Sequence, residues 1–216
     1  METVARIYND LGEKFGVPRQ SGMTDMLSLV RLEPPYNVRE ALRGIEGCSH
    51  LWLLWLFSEN PPQKEFSPTV RPPRLGGNRR LGVFATRSPF RPNGIGLSVV
   101  RLVSVDEEAL TLTVQGADLV NGTPIIDIKP YIPYADCVPD AVTPYCDHVR
   151  EKRPVYTGPQ AEGKLPSAAM ETLKDLIAQD PRPQYHGNGR EYTFSYAGRQ
   201  VTFRAEEDSF TILGIE

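Results

Sequence analysis

The chain has 216 residues, enough for one large core or for a medium core with a small appendage, and its 40% hydrophobic and 24% charged content is ordinary for a globular protein. That composition excludes a fibrous repeat and a disordered chain, and the longest apolar run, LWLLWLF at 51–57, is far too short to span a bilayer. The net charge of −3 argues against a polyanionic partner only until its distribution along the chain is read.

Taken in order, the opening ARIYNDLGEKFGVPRQSGM mixes a short strand with a Gly/Pro/Arg loop, and MLSLVRL alternates as a strand. NVREALRGIEG reads as a short helix: Asn37 is placed to cap it, Glu40 completes a capping box, and Gly44 or Gly47 ends it. HLWLLWLF is too short and too uniformly apolar for a surface helix and predicts a buried strand. Residues 58–81 form an irregular segment rich in Pro, Arg and Gly, a loop length that is often functional. RLGVFAT predicts a strand, and GLSVVRLVSV with ALTLTVQG a strand pair joined by a tight acidic turn at 106–108. ADLVNGTPIIDIKPYIPYAD alternates strand pieces with turns at Asn121, Gly122 and the prolines. Frequent short strands, few helices and 20 prolines predict a mainly β fold, with a closed barrel over residues 1–139.

After Pro139 the texture changes. Residues 140–165 read as a polar linker or arm. PSAAMETLKDLIAQD predicts a helix with Ser167 as N-cap and Met170, Leu173 and Ile177 on one face. EYTFSYAGRQVTFRA turns at Ala197 and Gly198, and SFTILG supplies a third strand. A small α+β domain over 140–216 follows. There is no internal repeat.

The charge distribution is the strongest signal. From Phe66 to Val105 there is no acidic residue, yet Arg71, Arg74, Arg79, Arg80, Arg87, Arg91 and Arg101 all fall inside. The remaining 17 of the 24 basic residues face all 27 acidic ones. An Arg-rich face on an acidic body steers polyanions to one place and repels them elsewhere. Within FATRSPFRPNGIGLSVVRL the arginines stand among Gly and Pro. Glycine lets backbone amides approach a ligand, proline fixes the loop before binding, and arginine grips carboxylate or phosphate with a two-pronged donor. That is a pre-organised anion site, suited to a nucleotide, a nucleic acid or an amino-acid carboxylate. A solvated face, a structural network with Asp118 or Asp127, and a partner surface are the bland alternatives.

Other motifs carry less. EPPY at 33–36 echoes a short motif of adenine methyltransferases of Rossmann type, but the Gly-rich turn those enzymes need is missing, so it reads as a proline turn. Cys137, Cys146 and His148 lack a fourth ligand, so no metal is expected. Three cysteines without CxxC spacing fit a reducing compartment, and with no signal peptide they point to the cytoplasm. His50 reads as a core histidine, and Asp127 with Lys129 as a surface ion pair on one strand face. No Ser-His-Asp order stands out, so any chemistry should depend on positioning and electrostatics.

Four stretches in order, EKFGVPRQSG, VRPPRLGGNRRLGVFATRSPFRPNGIGLSVVRL, GADLVNGTPIIDIKPYIPYAD and DPRPQY, resemble the tRNA-methyltransferase O family, also called TsaA-like, over nearly the whole chain. The resemblance implies a non-Rossmann β-barrel methyltransferase. Such an enzyme uses S-adenosylmethionine to methylate N6 of threonylcarbamoyladenosine at tRNA position 37, and works as a cytoplasmic homodimer with no membrane association. It places the cofactor on Arg19, Gln20, Ser21, Glu59, Asn60, Arg87, Leu97, Gln115, Gly116, Ala117 and Asp118. The sequence departs from the family at Ser58, where members often have histidine, and at Gly94, where they usually have proline. Arg71, Arg74, Arg79, Arg80, Arg91 and Lys129 are then expected to meet tRNA, with Arg182 and Tyr185 of the last motif. Asp127 and Tyr131 are acid–base candidates by position alone. The competing readings are a barrel that binds a nucleotide or RNA without chemistry, and a methyltransferase for another substrate.

Overall fold

The computed structural model describes residues 1–61, 65–72, 79–143, 151–183 and 186–216. In chain order its strands are β1 (Ala5–Tyr8), β2 (Leu27–Leu32), β3 (His50–Leu56), β4 (Thr69–Val70), β5 (Leu81–Gly82), β6 (Ile95–Asp106), β7 (Thr111–Gln115) and β8 (Pro124–Pro130). After these come the short helix α1 (Pro133–Asp136), β9 (Val155–Thr157), α2 (Ser167–Ala178), β10 (Glu191–Tyr196), β11 (Arg199–Ala205) and β12 (Phe210–Ile215). Six strands close a barrel in the order β1-β2-β7-β6-β3-β8, every neighbouring pair antiparallel.

The long strand β6 pairs with β3 through its first half and with β7 through its second, with a register shift between Leu102 and Ser104. A second shift lies between Leu54 and Trp55, opposite β8. Such irregularities bend strands sharply, which is how a small sheet closes on itself. Inward residues fill the barrel: Ala5, Ile7, Val30, Leu51, Leu53, Trp55, Val100, Leu112, Val114 and Ile125 are buried. With these side chains at 7% exposure or less, the interior is a packed core and not a channel, and each fully buried aliphatic one contributes about 1.5–3 kcal/mol.

A second cluster is built on the sheet β10-β11-β12-β9, with Met170, Leu173 and Ile177 of α2 buried on it as their spacing predicts. The β10–β11 hairpin turns at Ala197 (φ 51°) and Gly198 (φ 72°), the left-handed pair that suits the twist of a two-residue hairpin. This cluster also takes in Leu11, Phe15, Val17 and Met26 from the loop after β1. Phe15 stacks on Tyr192 at 5.9 Å and on Phe203 at 6.3 Å.

Several local expectations change. Residues 37–47 form two 3-10 turns, Arg39–Leu42 and Ile45–Gly47, in place of a helix, and Asn37 caps neither. Gly44, at φ 87°, ends the first after one turn, and so short a piece keeps tight bonds such as Ala41 N–H to Val38 O. Ser167 is the first residue of α2, preceded by Pro166, with no side-chain cap. RLGVFAT pairs only at Leu81 and Gly82 before a 3-10 turn over Val83–Ala85. The 140–165 arm contains β9, which pairs in parallel with β12 and completes the second sheet. β3 is not uniformly buried: Leu51, Leu53 and Trp55 face inward while Trp52, Leu54 and Leu56 form a half-buried outer row. His50 is exposed at the start of that strand, its Nδ1 3.0 Å from Ser49 Oγ, and is not a core residue.

Candidate functional site

The loop between β1 and β2, the turn before β6 and the segment after β7 meet at one place on the barrel. Arg87 Nη1 donates to Gln20 Oε1 at 2.5 Å, and Gln20 Nε2 donates to the Arg19 carbonyl at 2.5 Å. Ser21 Oγ accepts the Val99 N–H at 3.2 Å, and the Gly22 N–H bonds the Gly116 carbonyl at 2.8 Å. Gly116 has φ +84°, and a Cβ there would stand 3.2 Å from Gly22 Cα, so both its conformation and this approach call for glycine. Lys14 Nζ binds the Glu59 carbonyl at 2.9 Å, drawing Glu59 to the same loop. Asn60 follows, its N–H bonded to Phe57 O at 3.3 Å. Leu97, on the outer side of β6, is 45% exposed.

Asp118 ends a second, short chain of hydrogen bonds and feels the charge of Arg87. The Trp55 indole N–H donates to Ser98 Oγ at 2.9 Å, and Ser98 Oγ donates to Asp118 Oδ1 at 2.5 Å. The direction is forced, because an indole can only donate and a hydroxyl has one hydrogen to pass on. Burial pushes the Asp118 carboxyl up to about 6, against the lowering effects of the Ser98 bond, a backbone N–H and the Arg87 charge. Gly96 makes the arrangement possible, since a Cβ there would lie 2.2 Å from the Trp55 ring. Ser98 and Trp55 were not singled out from the sequence. The available signal was a serine on the inward row Gly96, Ser98, Val100, between two residues without a polar side chain.

Gln115 turns to Asp25, with Nε2 3.0 Å from Oδ1, and Ala117 is fully buried beneath the site. Arg19 Nη2 donates to the carbonyls of Arg182 (2.8 Å) and Asp180 (3.4 Å).

The residues expected to meet tRNA divide. Arg71, Arg79 and Arg80 are exposed, and no ion pair among the described residues draws on them. Arg91 Nη1 bonds the carbonyls of Thr86 (3.1 Å) and Ser88 (3.4 Å), so it braces its own loop. Lys129 pairs with Asp127 at 2.8 Å on β8. Arg182 departs from the expectation: it is 5% exposed and locked in a bidentate pair with Asp180, which leaves no face for RNA. Arg74, Tyr185, Cys146 and His148 lie outside the described residues.

Neither acid–base candidate is bonded to the Asp118 group among the described residues. Asp127 binds Lys129 and accepts the Ile128 N–H at 2.9 Å. Tyr131 lies 5.8 Å from the Trp52 ring, and desolvation with the nearby Cys137 and Asp136 raises its phenol above the ordinary value.

Two family models match the chain: the tRNA-methyltransferase O N-terminal domain over residues 6–137 and the TrmO C-terminal domain over 151–216. The tRNA (adenine(37)-N6)-methyltransferase of Escherichia coli (strain K12) is 38% identical, over 100% of this chain and 97% of its own length. A putative S-adenosylmethionine-dependent methyltransferase, RcsF of Pseudomonas aeruginosa, is 46% identical over 80% of this chain and 77% of its own. The crystal structure of TrmO from Pseudomonas aeruginosa superposes with a TM-score of 0.80 at 36% identity, covering 99% of this chain and 95% of that one. With both halves of the chain matched and the barrel shared, the protein belongs to the tRNA-methyltransferase O family.

Proposed function

We propose that this protein transfers a methyl group from S-adenosylmethionine to N6 of adenine 37 in tRNA, and that its substrate is the adenine already carrying a threonylcarbamoyl group. The observation that carries the reading is the similarity to the E. coli tRNA (adenine(37)-N6)-methyltransferase over the entire chain. The geometry supports it, because the residues carried over from the family resemblance converge on one site and suit the cofactor's chemistry.

When bound, the cofactor supplies an electrophilic methyl on a cationic sulfur. Arg87 stands beside Gln20 at the mouth of the site, where a guanidinium can take a carboxylate. The carboxylate of Asp118 offers a counter-charge, oriented by the Ser98 hydroxyl. Leu97 gives apolar surface, and Gly116 lets the backbone come close. Arg71, Arg79 and Arg80 present fixed positive charge to tRNA phosphates. N6 of the carbamoylated base belongs to a urea-like group, so its proton leaves more readily than that of a plain exocyclic amine. Asp127 is the better proton acceptor of the two candidates, since Tyr131 holds its own proton more tightly than usual.

The protein works in the cytoplasm as a homodimer on this reading. An outer apolar row on neighbouring strands supports the dimer: Leu54 on β3 pairs with Leu97 on β6, and Val103 on β6 is 49% exposed. The chain is read as a cofactor-binding barrel domain over 1–139 followed by a linker and small C-terminal domain over 140–216. No helix of the described residues is long and apolar enough to cross a membrane. The test is a mass-spectrometric nucleoside profile of tRNA after incubation with enzyme and S-adenosylmethionine. A new methylated threonylcarbamoyladenosine is expected. Cofactor binding without any change in tRNA nucleosides would favour a non-catalytic binding barrel.

A further inference from the structure

The turn after α2 holds a residue in an unusual conformation. Helices that end on a left-handed residue usually place glycine there, because a side chain disfavours positive φ. Here the residue is Asp180, at φ 55°. Its carboxylate grips Arg182 through two parallel bonds, Nε to Oδ1 at 2.7 Å and Nη2 to Oδ2 at 3.0 Å. The same guanidinium reaches Asn188 Oδ1 at 3.2 Å and lies over the Phe210 ring at 5.4 Å. Held in this way, the turn directs the carbonyls of Asp180 and Arg182 at Arg19. Gln179, one residue earlier, donates to the Met23 carbonyl at 3.1 Å. These bonds bracket Gln20, Ser21 and Gly22, whose other contacts run to Arg87, Val99 and Gly116 on the barrel side.

We propose that the Asp180–Arg182 pair is a positioning latch, through which the C-terminal half holds loop residues 19–23 in the conformation that receives the cofactor. The proposal rests on the S-adenosylmethionine reading above. The aromatic anchoring of this loop is made by Phe15, upstream, and does not itself fix Arg19 to Gly22. A segment held before the ligand arrives has no ordering penalty left to meet on binding. A glycine at 180 would make the same turn with less strain, so the aspartate is explained by the arginine it holds.

The decisive variant is Asp180→Gly, which keeps the left-handed turn and deletes the carboxylate. Arg182→Lys is a second, keeping the charge but losing the two-pronged grip. Hydrogen exchange of the protein without cofactor, calorimetric titration with S-adenosylmethionine, and steady-state kinetics are the readouts. In Asp180→Gly, exchange at 19–23 should quicken while β10, β11 and β12 keep their protection. Cofactor affinity should fall about tenfold, and KM for the cofactor should rise with kcat within about twofold. A role confined to stability would leave the affinity of the folded protein unchanged. If Arg182→Lys also loosens the sheet, Asp180→Gly decides alone. Unchanged exchange at 19–23 and unchanged affinity in that variant, with wild type binding normally, overturn the latch. A wild type that binds no S-adenosylmethionine overturns the cofactor reading and the latch's role in affinity together.

Discussion

Ser98 donates its only hydroxyl proton to Asp118 at 2.5 Å while accepting from Trp55 at 2.9 Å, so a buried indole and a half-buried carboxylate are tied through one serine. Ser98→Ala breaks both links. It leaves the Trp55 N–H without a partner, which should destabilise the barrel by about 1–3 kcal/mol in a urea titration. Losing a bond that lowers the Asp118 pKa should also move that group's titration to higher pH.

The raised Asp118 pKa has two consequences of opposite sign. With a folded value of about 6 against an ordinary 3.8, the group favours the folded state fully below pH 3.8 and loses that contribution as pH rises through 6. Asp118→Asn, which keeps an acceptor for Ser98, should therefore raise stability at pH 7.5 by up to ~2 kcal/mol and by little at pH 4. Cofactor binding should respond the other way, weakening in wild type as pH falls through about 6 and losing that dependence in Asp118→Asn. A wild-type binding constant that is flat from pH 5 to 7.5 would remove Asp118 from the cofactor's surroundings.

Gly96 is required by a neighbour rather than by its own backbone angle. Gly96→Ala would place a Cβ 2.2 Å from the Trp55 ring. An indole wedged in a closed barrel cannot retreat cheaply, so the substitution should cost about 1–3 kcal/mol or more. Chemical denaturation checks it, and an unchanged midpoint would mean that Trp55 can move aside.

Arg79 and Arg80 are exposed, and no ion pair among the described residues uses them. Charge reversal at either should weaken tRNA binding and reduce its salt slope by about one, with cofactor affinity intact. Arg91→Ala should act differently, because its bonds to Thr86 and Ser88 carbonyls hold the loop that presents Arg87. There the loss should appear in cofactor affinity as well. Filter binding over a salt series separates the two patterns.

The strands were legible because alternation is local: β2, β6, β7 and β8 fall where the apolar pattern puts them. The arginine window was legible as charge and turn chemistry, whereas Gln115 to Asp118 entered only through the family resemblance. Residues 37–47 were misread because a capping box promises a helix, whereas Gly44 allows only one turn. Arg182 was misread as an RNA contact because a sequence shows its charge but not its burial, and its partner Asp180 had no visible role. The contact between Arg19 and the Arg182 carbonyl joins residues 163 positions apart, and no pattern in either segment announces it.

Methyl transfer should require the threonylcarbamoyl group on the adenine. Plain adenine delocalises the N6 lone pair into its ring and holds both amino protons tightly. A carbamoyl substituent acidifies the remaining proton, so that a modest acceptor such as Asp127 suffices. Its threonyl carboxylate also offers an anchor to an arginine, and a charged hydrogen bond of that kind contributes about 1.5–3 kcal/mol. Losing the anchor alone should reduce turnover by roughly tenfold to a hundredfold, before the weaker nucleophile is counted. The measurement compares two tRNA transcripts, one bearing the threonylcarbamoyl group and one bare, with tritiated S-adenosylmethionine and the same enzyme. Label should enter the first and be close to background in the second. Equal labelling of both would make the protein a general adenine-N6 methyltransferase, with the exposed arginines serving the phosphates alone.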